Sequence, residues 1–176
     1  MMNRINFFFV TLFGIGKISK IPGSIASLVT TIFLYFTFYV LKISPENILV
    51  GVIIVFFVSI YAVNIFIKNL DEKDPKEVVI DEFIGQSIPI CLYEIAHQEE
   101  VKDTNEILTF YFIMFILFRI FDILKPYPVN YYDKNFKNGF GVVMDDVCAG
   151  LYVVAVLVLY MVFSSWKSSV KKLLIY

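Results

Sequence analysis

The chain has 176 residues, of which 59% are hydrophobic and only 18% charged, and its mean hydropathy is +0.75. Such a composition is too apolar for one water-soluble domain around a single core, and it fits an integral membrane protein of one compact helical unit, residues 1–176. A net charge of −1, with 15 Lys and Arg scattered through short polar segments, leaves no basic stripe and argues against nucleic acid as a partner.

In chain order, the apolar run after Arg4 lacks a small-residue cleavage signature, so no removable signal peptide is expected. Residues 14–28, GIGKISKIPGSIASL, lead into the first long apolar segment. Glycines at a helix start can offer backbone donors to an anion, which makes Lys17, Lys20, Gly23 and Ser24 candidates for holding one. The same run also suits a flexible entry to a spanning helix, and it lacks the GKS or GKT ending of a P-loop. Residues 25–41 and 48–67 are long apolar segments joined by the short turn KISPEN, the pattern of two antiparallel spanning helices.

Residues 74–85, DPKEVVIDEFIG, carry the first acidic group. On a helix Asp81 and Glu82 point about 100° apart, so one faces a partner while the other reaches around or serves a second ligand. Asp74 lies about two turns earlier, and a capped amphipathic helix with a solvated start is the plain alternative for this stretch. Residues 83–96 are apolar but contain Gly85, Pro89 and Glu94, which suggests a short broken helix, either crossing or re-entrant. His97 reads as a loop residue, and Cys91 and Cys148 as buried free thiols.

Residues 107–121 and 147–163 are two further apolar segments. The first ends in FRIFDILKP, where spacings of three set Arg119, Asp122 and Lys125 along one helical stripe before Pro126. Arg119 and Asp122 can form an internal ion pair and Lys125 can snorkel to headgroups, but an arginine fork beside a lysine also holds phosphate oxygens. The second is preceded by NGFGVVMDD, whose Gly139 and Gly141 allow close backbone approach to a bound group. Capping the following helix explains one of Asp145 and Asp146 but not both.

Asp81, Glu82, Asp145, Asp146 and Asp122 offer hard oxygen ligands, with no accompanying histidine or thiolate set. Carboxylates gathered without a cation would repel one another, so the pattern predicts a divalent ion, Mg²⁺. The excess of basic residues on one face is the same whether the broken segment crosses or not, so charge bias does not fix sidedness. The expected arrangement is the one that brings the acidic motifs together.

Read jointly, these stretches resemble the phosphatidylglycerophosphatase A family of bacterial membrane phosphatases. GIGKISKIPGSIASL is similar to its N-terminal glycine and proline signature, DPKEVVIDEFIG to its DP...DE segment, and FRIFDILKPYP with NGFGVVMDDVCAG to its long third signature. The likeness covers roughly residues 13–155. It departs in reading PGSIAS where PGTxGS is usual, and it keeps every acidic position.

The resemblance implies hydrolysis of the terminal phosphomonoester of phosphatidylglycerophosphate, a phospholipid substrate in the bilayer, to phosphatidylglycerol and inorganic phosphate. It implies Mg²⁺ as cofactor and a multi-pass protein of the bacterial inner membrane with its site facing the cytoplasm. Asp81, Asp145 and Asp146 are the expected metal ligands, with Glu82 or Asp122 completing the shell or accepting a proton from water. Arg119, Lys125 and Lys17 are expected on the phosphate oxygens. Water attack is expected, with an aspartate nucleophile as the alternative. Oligomeric state is not legible. The rival readings are an ion transporter or channel using carboxylates at the membrane edge and a metal-dependent transferase of lipid phosphodiesters; neither mid-helix charges with inverted repeats nor a nucleotide-lipid signature is present.

Overall fold

The structure is a computed structural model that describes residues 4–18, 20–68, 70, 75–98 and 103–173, without the side chains of 165 and 167–173. The described residues form α1 (Arg4–Val10), a 3-10 turn (Ile15–Lys17), α2 (Pro22–Tyr39), α3 (Pro45–Ile67), α4 (Ile80–Ala96), α5 (Thr104–Leu124), α6 (Val129–Asn135) and α7 (Gly139–Leu173). This is the all-α bundle that the apolar spacing predicts. Asp74 lies outside the described residues.

Local chemistry sets the helix ends. Pro22 and Pro45 sit in the first turns of α2 and α3, where the missing N–H costs nothing. Asp103 caps α5 by accepting from the Asn105 amide at 3.3 Å. At the other end of α5, Lys125 adopts a left-handed conformation (φ 44°) that stops the helix just before Pro126.

Four helices are long and apolar enough to cross a membrane: α2, α3, α5 and residues 139–164 of α7. Their outer surfaces are apolar, with Ile54 at 59% and Phe57 at 65% exposure on α3. Small and polar side chains turn inward instead, among them Ser27, Thr30, Ser59, Gln86 and Ser87. That inversion is what lipid demands, because helix contact there gains from close packing and hydrogen bonds and little from apolar burial.

α4 is the centre of the bundle and packs against α2, α3, α5 and α7. It runs unbroken through Gly85 and Pro89, which corrects the expectation of an interrupted segment. The physical reason lies in its neighbour. The Gly85 carbonyl, whose helical donor would be the amide that Pro89 lacks, faces Gly150 of α7 so closely that a Cβ at Gly150 would lie 2.4 Å from it. A Cβ at Gly85 would in turn meet the Asp146 carbonyl at 2.6 Å. Two glycines therefore let α4 and α7 touch backbone to backbone, in the most extensive helix contact among the described residues.

α4 runs alongside α2 for the full height of the bundle. Its first turn meets α2 at Gly23, and its last turn meets α2 again where the Tyr39 hydroxyl donates to Glu94 at 2.8 Å. The starts of α2, α4 and α7 and the end of α5 consequently share one end, and the dispersed motifs come together there.

Candidate active site

A cavity of about 360 Å³ opens at that shared end. The start of α2 contributes Ile21, Pro22, Gly23 and Ser24, and the segment before α4 contributes Lys76 and Val78. Asp81 and Glu82 come from the first turn of α4, Arg119, Asp122, Ile123 and Lys125 from the end of α5, and Asp145 and Asp146 from α7.

Carboxyl oxygens of Asp81, Glu82 and Asp146 lie within 4.8 Å of one another. Asp81 and Asp146 are buried, and Glu82 is partly buried. Glu82 Oε2 and Asp146 Oδ2 are both shielded from solvent, and neither has a hydrogen-bond partner among the described residues. Burial is the largest influence on the Glu82 carboxyl and raises it above its ordinary range; Asp122 adds to the rise, while a hydrogen bond with Asp81 and the charge of Arg119 offset part of it. Orphaned, mutually repelling oxygens at this spacing fit a cation with oxygen preference.

The remaining acids are already engaged by bases. Arg119 Nη1 is 2.9 Å from Asp122 Oδ2, one turn along α5, and reaches Ser27 Oγ on α2 at 3.5 Å. Its Nε is buried without a hydrogen-bond partner among the described residues. Lys125 Nζ donates to Asp133 Oδ1 at 2.7 Å and to Asp145 Oδ2 at 2.9 Å. Burial on its own would lower the Lys125 ammonium, but Asp145 and Asp133 outweigh it and hold its pKa above the ordinary lysine range. Asp145 thus stands against Lys125, while the group of three is Asp81, Glu82 and Asp146.

Gly23 sets the closeness of this arrangement. A Cβ there would lie 2.2 Å from Glu82 Oε1 and 3.2 Å from Arg119 Nη1, so only glycine lets both side chains lean over the start of α2. Gly16 has a different task. Its Cβ would meet the Glu77 carbonyl at 2.0 Å, so the glycine packs the 3-10 turn against the segment that leads into α4. Lys17 is exposed, lies 3.8 Å from Glu77 and over the Phe7 ring, and is not among the residues lining the cavity; Lys20 is exposed too and likewise absent from the lining.

Several expectations shift in detail. α7 begins at Gly139, so Asp145 and Asp146 lie in its second turn, and neither is a cap. Gly139 and Gly141 serve packing: added Cβ atoms would meet the carbonyls of Ile60 at 2.4 Å and Phe136 at 1.9 Å. Lys125 leaves the Arg119–Asp122 stripe because the helix ends at it. Cys91 and Cys148 are buried and free. His97 closes α4, its Nδ1 2.8 Å from the Tyr93 carbonyl.

Three contributors escaped the sequence reading. Asp133 reaches Lys125 because α6 folds back after the proline turn, and an acid in YYDKN carries no periodic signal. Ser27 looks like any small residue on an apolar helix. Lys76 lies inside DPKEVVIDE, where a base among acids was a usable hint.

The chain is similar to known proteins over most of its length. The family model described as Phosphatidylglycerophosphatase A matches residues 8–161. A Haemophilus influenzae protein named Phosphatidylglycerophosphatase A is 31% identical over 144 residues, covering 82% of this chain and 81% of the relative. An Escherichia coli protein of the same name is 29% identical over 155 residues, covering 88% and 81%. A Bacteroides thetaiotaomicron protein provisionally named a phosphatidylinositol-3-phosphatase is 34% identical over 144 residues, covering 81% and 84%. No solved structure matches.

Proposed function

The chain belongs to the phosphatidylglycerophosphatase A family of phosphatases, and we propose that it hydrolyses the terminal phosphomonoester of phosphatidylglycerophosphate in an Mg²⁺-dependent reaction that yields phosphatidylglycerol and inorganic phosphate. The observation that carries the proposal is the group of three carboxyls with two buried, unpartnered oxygens, in one cavity with Arg119 and Lys125.

Asp81, Glu82 and Asp146 would hold the metal, since their donor set is all hard oxygen and suits Mg²⁺. When bound, the ion supplies charge to offset the acid cluster, Lewis acidity toward phosphate oxygen and a lowered pKa for water. The protein's own residues do the rest. Arg119, held by Asp122 and Ser27, lines the cavity and would set its guanidinium against a non-bridging oxygen. Lys125, fixed by Asp133 and Asp145, sets a second positive charge across the cavity. First-turn amides of α2 at Gly23 and Ser24 have no helical acceptor and add donors for the anion. With Glu82 on the metal, Asp122, which lines the cavity outside the group of three, would accept the proton from the attacking water.

The molecule is a multi-pass membrane protein. The site end of the bundle also carries Lys20, Lys68, Lys76, Lys134 and Lys137, which supports placing it on the cytoplasmic face of the inner membrane.

Purified protein is expected to release phosphate from phosphatidylglycerophosphate, to stop on chelation and to recover with Mg²⁺. Turnover that persists in chelator overturns the metal assignment. The Bacteroides relative motivates a second reading, a phosphomonoester on an inositol headgroup. Side-by-side kcat/KM values for phosphatidylglycerophosphate and phosphatidylinositol 3-phosphate separate the two.

A further inference from the structure

A second cavity of about 360 Å³ lies between α2 and α5 on the outer side of the bundle. Its walls are Leu28, Ile32 and Tyr35 from α2, and Leu108, Phe112 and Phe115 from α5. The floor is made by Thr31 and Tyr111, both buried. Their polar atoms are already committed: the Thr31 hydroxyl donates to the Ser27 carbonyl at 2.9 Å and the Tyr111 hydroxyl to Glu94 at 3.0 Å. An occupant therefore meets mainly methyl, methylene and ring surface.

This groove lies on the same two helices as the catalytic cavity, farther from the site end. On α2, Ser24 of the cavity and Leu28, Ile32 and Tyr35 of the groove follow helical spacing along one stripe. On α5, Leu108, Phe112 and Phe115 lie on the stripe that carries Arg119 and Asp122. Ile21 and Ile123, exposed at 62% and 67%, stand at the rim on the same two helices.

The depth is that of a single leaflet. Leu28 and Tyr35 are four and eleven residues beyond Ser24, and Phe115 and Leu108 are four and eleven before Arg119. At about 1.5 Å per residue the groove runs from about 6 to about 16 Å below the phosphate-binding end, close to half of a hydrocarbon core of about 30 Å.

We infer that the α2–α5 groove seats one acyl chain of the lipid whose phosphorylated headgroup occupies the Arg119 cavity, so that the substrate enters sideways from the bilayer between these helices. The inference rests on the lipid phosphatase reading. Because bilayer and groove are equally apolar, the gain is packing and orientation of the headgroup rather than hydrophobic transfer.

The test uses a diacyl phosphatidylglycerophosphate analogue with a photoreactive diazirine at mid-chain, in vesicles of neutral phospholipid with the intact protein. Cross-links concentrated on the groove walls and competed by unlabelled substrate are expected. Cross-links spread over the outer faces of α3 and α7, or indifferent to competition, overturn the inference. In parallel, Leu108→Trp is expected to lower the ratio of kcat/KM for long-chain over short-chain substrate by about tenfold; an unchanged ratio overturns it. Groove cross-links that are competed by another phosphorylated lipid, in a protein that leaves phosphatidylglycerophosphate intact, would sustain the groove and defeat the substrate assignment instead.

Discussion

The two ends of α4 place carboxyls in similarly enclosed surroundings and treat them in opposite ways. At the last turn, Glu94 is 7% exposed, and the hydroxyls of Tyr39 and Tyr111 donate to it at 2.8 and 3.0 Å. At the first turn, Asp81 and Glu82 meet Asp146, and one oxygen each of Glu82 and Asp146 has no partner among the described residues. A buried acid satisfied by neutral donors ties helices together, whereas acids left facing one another store repulsion that a ligand can relieve. One helix thus carries a structural anchor at one end and a candidate reaction centre at the other.

Substitutions that separate these roles break or sharpen the contrast. The largest effect is expected from Asp146→Asn: loss of cation-borne charge stabilisation of several kcal/mol lowers turnover by about a thousandfold. Thermal unfolding without metal should occur no lower than in the wild type, because the amide keeps the side chain's shape and adds no charge to the buried cluster. A variant that unfolds early would make the acid end structural as well. Next comes Gly23→Ala. The Cβ would strike Glu82 Oε1, the free end of a side chain able to swing aside, so the fold should survive while the displaced cluster loses about a hundredfold in kcat/KM.

Gly150→Ala offers the complementary case, since its Cβ would strike the Gly85 backbone at 2.4 Å. Nothing flexible can yield there. Stability should fall by about 1–3 kcal/mol in thermal or denaturant unfolding. The smallest effect is expected from Tyr111→Phe, which removes one donor to Glu94: about 1 kcal/mol of stability, with turnover per folded molecule retained. A collapse of turnover in that variant would join the two ends functionally.

The legibility of each feature followed the range of the interaction that creates it. The spans at 25–41 and 48–67 were visible because residues three and four apart share a helical face, and α2 and α3 follow with shifted ends. The pair Arg119 and Asp122, one turn apart, was readable for the same reason. Lys125 kept its chemistry but not its direction, because the left-handed turn before Pro126 points it to Asp133 and Asp145. The division of the acids, with Asp146 in the group of three and Asp145 on the lysine, depends on how α7 is rotated against α4. Gly85 and Gly150 fix that rotation, and no local pattern announced that these two glycines touch.

By itself, then, the amino-acid sequence determined a helical membrane protein with acids and bases beside its apolar runs, since hydropathy, helical period and charge are properties of neighbouring residues. Only the tertiary structure decided that α4 runs whole through Pro89, that three particular carboxyls converge, and that α2 and α5 leave an apolar groove between them. Those outcomes come from backbone contact between helices distant in the chain, where a missing Cβ sets which faces can meet.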